Sequence, residues 1–493
     1  MARDTWLLRA CPLAAVLGGA VLLAPAAHAA PTKIDTGDTA WMLTATALVM
    51  FMTPGLALFY GGMVRRKNVL GTMMHSLMAL GLISLQWVLL GYTLAFHRGN
   101  LAIGGLGWLG LHGVGGTPDP VGYAPSIPHG VFMAFQLMFA IITPALLFGG
   151  VAERMKFSAY ALFILLWATF IYDPLAHWVW GSGGLLGPGG IFRALGLGGQ
   201  THALDFAGGL VVHVSSGLSA LVCALMIGRR RNYPREPMVP HNLPLAALGA
   251  GMLWFGWFGF NAGSALAANG LAAMALVNTN TGAAAGVMGW VIAEWLKGGK
   301  PTALGAISGA VAGLVVITPA CGFVEPWAAV LMGLAAGALC YAAVNLKARL
   351  GYDDTLDAFG VHGVGGSLGA LLTGVFATTS VNPAGANGLL YGNPSQFVAQ
   401  LISVIVTYLF VGVACFGLLK LTDALVGLRV SDEAELVGID LAEHGESGYN
   451  LEDIPMGHGA PAHPAPAVHA QEAAASGHPA PPVQDQLSSE PAA

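Results

Sequence analysis

The chain has 493 residues, 55% of them hydrophobic and only 9% charged, with a mean hydropathy of +0.67 and a formal net charge of −5. Soluble domains carry about 25% charged residues. The composition therefore excludes an ordinary soluble enzyme or nucleic-acid binder and points to an all-α polytopic membrane protein.

The N-terminus reads "MARDTWLLRACPLAAVLGGAVLLAPAAHAAP". Arg3 and Arg9 form a positive start, residues 12–24 a short apolar core, and Ala27-His28-Ala29 an A-x-A site. This is the pattern of a signal peptide over residues 1–30, cleaved near Ala29 or Ala30, with the mature N-terminus outside. An uncleaved first span is the alternative, but the run is short for one. An exported N-terminus on a multi-pass chain points to a bacterial inner membrane.

From residue 38 to 425 apolar segments recur at membrane-spanning length. They are read at 40–62, 70–96, 129–152, 157–178, 204–228, 244–266, 271–296, 303–322, 327–347, 357–379 and 396–421, eleven in all. The 70 glycines suit close helix packing in lipid. Basic residues mark the ends of the odd-numbered spans: Arg65, Arg66 and Lys67; Arg154 and Lys156; Arg229, Arg230, Arg231 and Arg235; Lys297 and Lys300; Lys347 and Arg349; and Lys420 and Arg429 flanking the end of the last. The long loops on the other side carry only Arg98 and Arg193. The positive-inside rule then gives N-out, C-in. An odd count suits a five-plus-five inverted repeat with one added helix.

That repeat places His213 in span 5 and His362 in span 10 at equivalent positions, each followed by Gly four residues on, Gly217 and Gly366. A lone intramembrane His is as readily an interhelical hydrogen bond as a functional group. Two at matching depth favour function, because ionisable groups in the membrane are costly and usually line a pathway. A neutral imidazole has one donor and one acceptor nitrogen. If the two rings meet, one hydrogen bond joins them and each keeps a nitrogen for a passing molecule. Their neighbours are Val, Gly and Ser, so no metal site is expected. No span carries Lys or Arg at its centre, and no ring of oxygens offers to replace an ion's hydration shell. The chemistry suits a small neutral solute that hydrogen-bonds.

Aromatics gather toward the outer ends: Phe135 and Phe139 in span 3, His177, Trp178 and Trp180 ending span 4, Trp257 and Phe260 before Ser264 in span 6. An interfacial belt explains Trp178. It does not explain aromatics preceding a serine inside a Gly-rich segment, where ring faces and a hydroxyl could hold a cation. Asp205 opens span 5 eight residues before His213, where a carboxylate caps free N–H groups and also favours a cation at the mouth. Asp357 holds the comparable start of span 10 on the other side. Of the five Cys, Cys11 lies in the leader; Cys223, Cys321, Cys340 and Cys415 read as small packing residues. Residues 451–493 are Ala/Pro/His-rich and read as a disordered extension, with solvated rather than metal-binding histidines at 458, 463, 469 and 478.

The stretches "GLALFYGGMVRRKNVL", "DFAGGLVVHVSSG", "PHNLP", "GWFGFNAGSA", "VNT", "TPACGF" and "DAFGVHGVGG" resemble the ammonium transporters of the Amt/Mep/Rh superfamily, over about residues 40–450. The resemblance implies a homotrimer of eleven-helix subunits in the membrane lipid, each with its own pore. The sequence offers no nucleophile–base pair or metal set, so no enzymatic activity, cofactor or nucleic-acid partner is expected. It implies an outer ammonium-recruiting site at Trp180, Phe139 and Ser264, with Asp205 shaping the vestibule. It also implies a phenyl gate at Phe139 and Phe260, and a pore lined by His213 and His362. Residues 426–450 are similar to the family's cytoplasmic regulatory tail, which contacts PII-type signalling proteins. The long extension departs from the family pattern. An ammonium sensor and a passive Rh-like neutral-gas channel are the alternatives; Trp180 argues against the Rh pattern, which lacks the outer tryptophan.

Overall fold

The computed structural model describes residues 33–198 and 201–449. The signal-peptide pattern, Cys11 and the Ala/Pro/His-rich extension lie outside the described residues.

A helix stands at each of the eleven expected places: α1 Thr36–Met63, α2 Arg66–Phe96, α3 His129–Gly150, α4 Phe157–Trp180, α5 Gly209–Ile227, α6 Leu243–Gly263, α7 Gly270–Gly298, α8 Ala303–Ile317, α9 Pro326–Leu350, α10 Phe359–Phe376 and α11 Pro394–Val426. Among the described residues nine are long and apolar enough to cross a membrane. The other two differ for visible reasons: α7 carries Asn278, Thr279, Asn280 and Thr281 mid-helix, and α8 has only 15 residues. No strand occurs among the described residues, only two isolated bridges.

Local chemistry sets the ends. Asp35 caps α1, accepting from Asp38 N at 2.8 Å; Asn242 caps α6, Asn269 α7 and Thr302 α8. Pro326 and Pro394 open α9 and α11, where a missing N–H costs nothing. Leu409, Val413 and Phe416 on α11 stand outward, Val413 74% exposed. Such a face is stable only against lipid or another apolar surface.

Helices α5 and α10 start later than their apolar runs, at 209 and 359 rather than 204 and 357, because the residues before them form capping turns. Both then begin with a wide turn, Gly209–Val214 and Phe359–Gly363, and each wide turn contains the histidine. His213 N reaches back five residues to Gly208 O at 3.0 Å. The two helices cross at the glycines that follow each histidine. A Cβ on Gly217 would lie 2.1 Å from Gly363 N, and one on Gly366 would lie 2.9 Å from His213 Cβ. The spacing His-x-x-x-Gly, present in both, is what lets each helix pass against the other's histidine turn.

After α11 the chain turns back on the body. Lys156 N donates to Leu428 O and Val430 N to Arg154 O, both at 3.0 Å. Two short helices, α12 Asp432–Val437 and α13 Ile439–His444, then dock on the start of α2. Asp440 accepts from Gly71 N at 2.7 Å, Ile439 N donates to Asn68 Oδ1 at 2.9 Å, and Lys67 donates to Glu435 O at 2.9 Å.

Basic residues from the loops between the helices build a buried ion network. Glu153, fully buried, accepts from Arg65 (2.9 Å) and Arg230 (3.1 Å), and Arg230 also pairs with Asp353 at 2.8 Å. Burial opposes the ionised Glu153, but Arg230 and Arg65 outweigh it and hold the carboxyl below its usual value; Asp353 is held low by Arg230 and Arg154 against the same opposition.

Candidate functional site

Three cavities lie in series along the molecule. The one on the side that the sequence expects to face outward, called the outer cavity, has about 280 Å³ and is lined by Gln136, Phe139, Trp180, Asp205 and Ser264. A middle one, about 10 Å³, lies among Leu253, Phe260, His213 and His362. The inner one, about 210 Å³, runs from His362 past Phe59 and Tyr60 to Glu294 and Asp357. The middle volume is at the lower limit for a single water. This stretch is narrow, and its lining is apolar and aromatic apart from the two imidazoles.

At the outer cavity the sequence-expected residues come together. The Phe139 and Phe260 rings stack, centroids 4.1 Å apart at 26°, and Trp180 meets Phe139 edge-on at 6.0 Å. Trp180 Nε1 donates to Asp205 O at 2.9 Å, which fixes the indole. Ser264 sits at the end of α6 and donates its proton to Phe260 O at 2.9 Å. Its oxygen lone pairs remain for an N–H donor from the cavity. The Phe139–Phe260 stack separates this cavity from the middle one. Phe135 packs on Phe139 at 5.0 Å, and Trp178 lies outside the site, donating to Ala102 O at 2.8 Å.

Asp205 is spent on backbone. Oδ1 accepts from Gly208 N (2.7 Å) and Gly209 N (2.5 Å), Oδ2 from Leu210 N (2.7 Å) and Val211 N (3.3 Å). The carboxylate holds the start of α5, and so His213, and reaches the cavity through its field rather than by a free oxygen.

The two histidines meet as the sequence suggested. Their rings lie 5.3 Å apart at 23°, with Nδ1 facing Nδ1 at 3.2 Å. One proton between those atoms makes one donor and one acceptor. His213 stacks on Trp257 at 5.4 Å, and Trp257 Nε1 donates to Thr318 Oγ1 at 2.9 Å, which locks the stack. His213 Nε2 is buried with no partner.

One expectation is corrected. Asp357 is not the counterpart of Asp205. It adopts a left-handed φ of +61° and pairs with Lys347 at the inner cavity. The counterpart is Asp354, whose carboxylate accepts from Ala358 N at 3.1 Å and Phe359 N at 2.8 Å at the start of α10. Burial leads the causes that push Asp354 up to about 6. The signal was in the sequence: Asp354 precedes His362 by eight residues, as Asp205 precedes His213. Gln136 and Glu294 line the cavities without any pattern that marks them. Among the described residues no His/Cys/Asp/Glu group could hold a metal ion, and the four cysteines are buried and unpaired.

The family model described as Ammonium Transporter Family matches residues 40–449. The chain is 52% identical over 417 residues to an ammonium transporter of Bacillus subtilis, covering 84% of this chain and 99% of that protein. The crystal structure of Candida albicans Mep2 superposes with a TM-score of 0.75 at 34% identity, covering 86% of this chain and 92% of that one. A structure titled Sensor Amt Protein gives 0.73 at 29%, covering 83% and 98%. By the extent of these matches, the chain belongs to the Ammonium Transporter Family.

Proposed function

We propose that the protein moves ammonium across a bacterial inner membrane by taking it apart. Ammonium is recruited from outside against Trp180, Phe139 and Ser264. It loses a proton at the Phe139–Phe260 gate, crosses as ammonia past His213 and His362, and is reprotonated in the inner cavity. The proton passes separately along the histidine pair. Asp205 acts as a positioning residue whose field favours the cation at the mouth. An ammonium ion keeps four N–H donors in need of acceptors, and desolvating an ion costs several kcal/mol. Ammonia needs far less, and potassium, having no proton to give up, stays outside.

The observation that carries this reading is the facing imidazole pair at 3.2 Å in a column too narrow for bulk water. The relatives are named as transporters, which agrees with a non-enzymatic role. A homotrimer with its N-terminus outside and C-terminus inside fits the apolar outer face of α11 and the basic loops. In this reading residues 1–30 are a signal peptide, 38–425 the transmembrane domain, 426–450 a regulatory tail that offers a PII-type protein its docking face, and 451–493 an extension. An ammonium sensor is the second reading, favoured by the likeness to a sensor Amt protein and by the tail docked on α2; it requires binding without uptake. The test is methylammonium uptake into proteoliposomes. His213→Ala with His362→Ala abolishes it if the pair carries the path; undiminished uptake rejects the histidine role.

A further inference from the structure

A second buried polar site lies off this column, and no step above uses it. Asp173 on α4 is fully buried, and Gln86 on α2 is 6% exposed. Each sits at the edge of a wide helical turn, Ala168–Tyr172 before Asp173 and Trp87–Gly91 after Gln86, which turns the two side chains toward one another. Among the described residues no ion pair reaches Asp173.

The hydrogen bonds fix the orientation of the amide. Thr169 Oγ1 gives its only proton to Leu165 O at 2.9 Å, so toward Gln86 it is an acceptor, at 3.2 Å. Asp173 Oδ2 is a second acceptor at 2.7 Å. Two acceptors at one end of a carboxamide require that end to be the NH₂ group. The other end is therefore Oε1, and it is buried without a donor, as is Asp173 Oδ1. The two orphaned oxygens thus belong to the same hydrogen-bonded pair. An ionised carboxylate with a bare oxygen in an apolar setting is costly, and a buried acceptor without a donor adds to it. One proton on Oδ1 removes both defects.

We propose that Asp173 is a proton-binding site of the membrane domain, held as a neutral carboxylic acid in a cyclic pair: Oδ1–H donates to Gln86 Oε1 while Gln86 Nε2–H donates to Oδ2. The pair links α2 to α4 without placing net charge in the membrane. Asp173 lies seven residues before Trp180, about 10 Å of helix. A fixed negative charge there would compete with the outer cavity for a cation, and the shared proton prevents that.

The test is infrared difference spectroscopy of the full chain in proteoliposomes at neutral pH, wild type minus Asp173→Asn, a variant that preserves an amide–amide pair. The expected difference is a protonated-carboxyl C=O band present only in the wild type. Carboxylate stretching bands in its place overturn the proposal. Gln86→Leu supplies an independent measurement: loss of the acceptor moves the same band to higher frequency, and a band that stays in place overturns the pairing. The methylammonium KM of Asp173→Asn stays within twofold of wild type; a several-fold rise would mean that a charge had been removed.

Discussion

The crossing of α5 and α10 gives a prediction whose size follows from the coordinates. Gly217→Ala places a Cβ 2.1 Å from Gly363 N and 2.5 Å from Gly363 Cα, both backbone atoms that no rotamer change can move. Relief to an ordinary contact of about 3.4 Å requires the helices to part by about 1.3 Å. That opens the Nδ1–Nδ1 contact from 3.2 Å to beyond hydrogen-bonding range. Overpacking costs about 1–3 kcal/mol and the lost hydrogen bond about 0.5–1.5 kcal/mol. A displacement of this size at a functional pair can cost about 100-fold in rate. The assay is paired: thermal unfolding of purified protein, and methylammonium uptake in proteoliposomes. Gly81→Ala is the control, because a Cβ there meets nothing within 4 Å; it gains about 0.5–1 kcal/mol of helix propensity. If Gly217→Ala is as stable and as active as Gly81→Ala, the close crossing does not position the histidines.

Other expectations follow from single contacts. Ser264→Ala removes the hydroxyl acceptor at the outer cavity; a hydrogen bond to a charged group is worth about 1.5–3 kcal/mol, so the ammonium KM rises about tenfold or more. Trp180→Leu removes a cation–π face worth about 1–2 kcal/mol and raises KM about five- to thirtyfold. Glu153 and Asp353 have depressed folded-state values, so their contribution is complete above the unfolded carboxyl range, about pH 4, and is lost as pH falls through the lower folded values. The thermal midpoint of the wild type therefore drops on acidification below about pH 4, and Glu153→Gln, less stable at neutral pH, shows a shallower drop. Asp440→Ala frees the Gly71 amide, which then exchanges hydrogen faster at the start of α2 if the tail is docked as described.

Much of this was legible in the sequence because it depends on periodic or repeated features. Apolar runs gave the eleven helices, and the paired His-x-x-x-Gly spacing gave the meeting of His213 and His362. The offset of eight residues marks Asp354 as plainly as Asp205, but Asp357 lies nearer the apolar run and drew the assignment. What the sequence hid depends on three-dimensional pairing. Arg65, Arg154 and Arg230 read as topology markers, and only the fold shows them around Glu153 and Asp353. Asp173 stood inside an apolar run with nothing nearby in sequence to explain it; its partner Gln86 is 87 residues away and faces it only across two wide turns. Ser264, by contrast, was legible from its aromatic neighbours, because Phe260 lies one helical turn before it.

In the proposed function nitrogen and proton cross separately through the histidine column. The most direct measurement is the current on a solid-supported membrane bearing proteoliposomes, after an ammonium pulse and after an equal potassium pulse. A transient current is expected for ammonium and none for potassium, and the ammonium current is lost when His213 and His362 are both replaced by Ala. Equal currents for the two cations, or internal alkalinisation with no current at all, would contradict it.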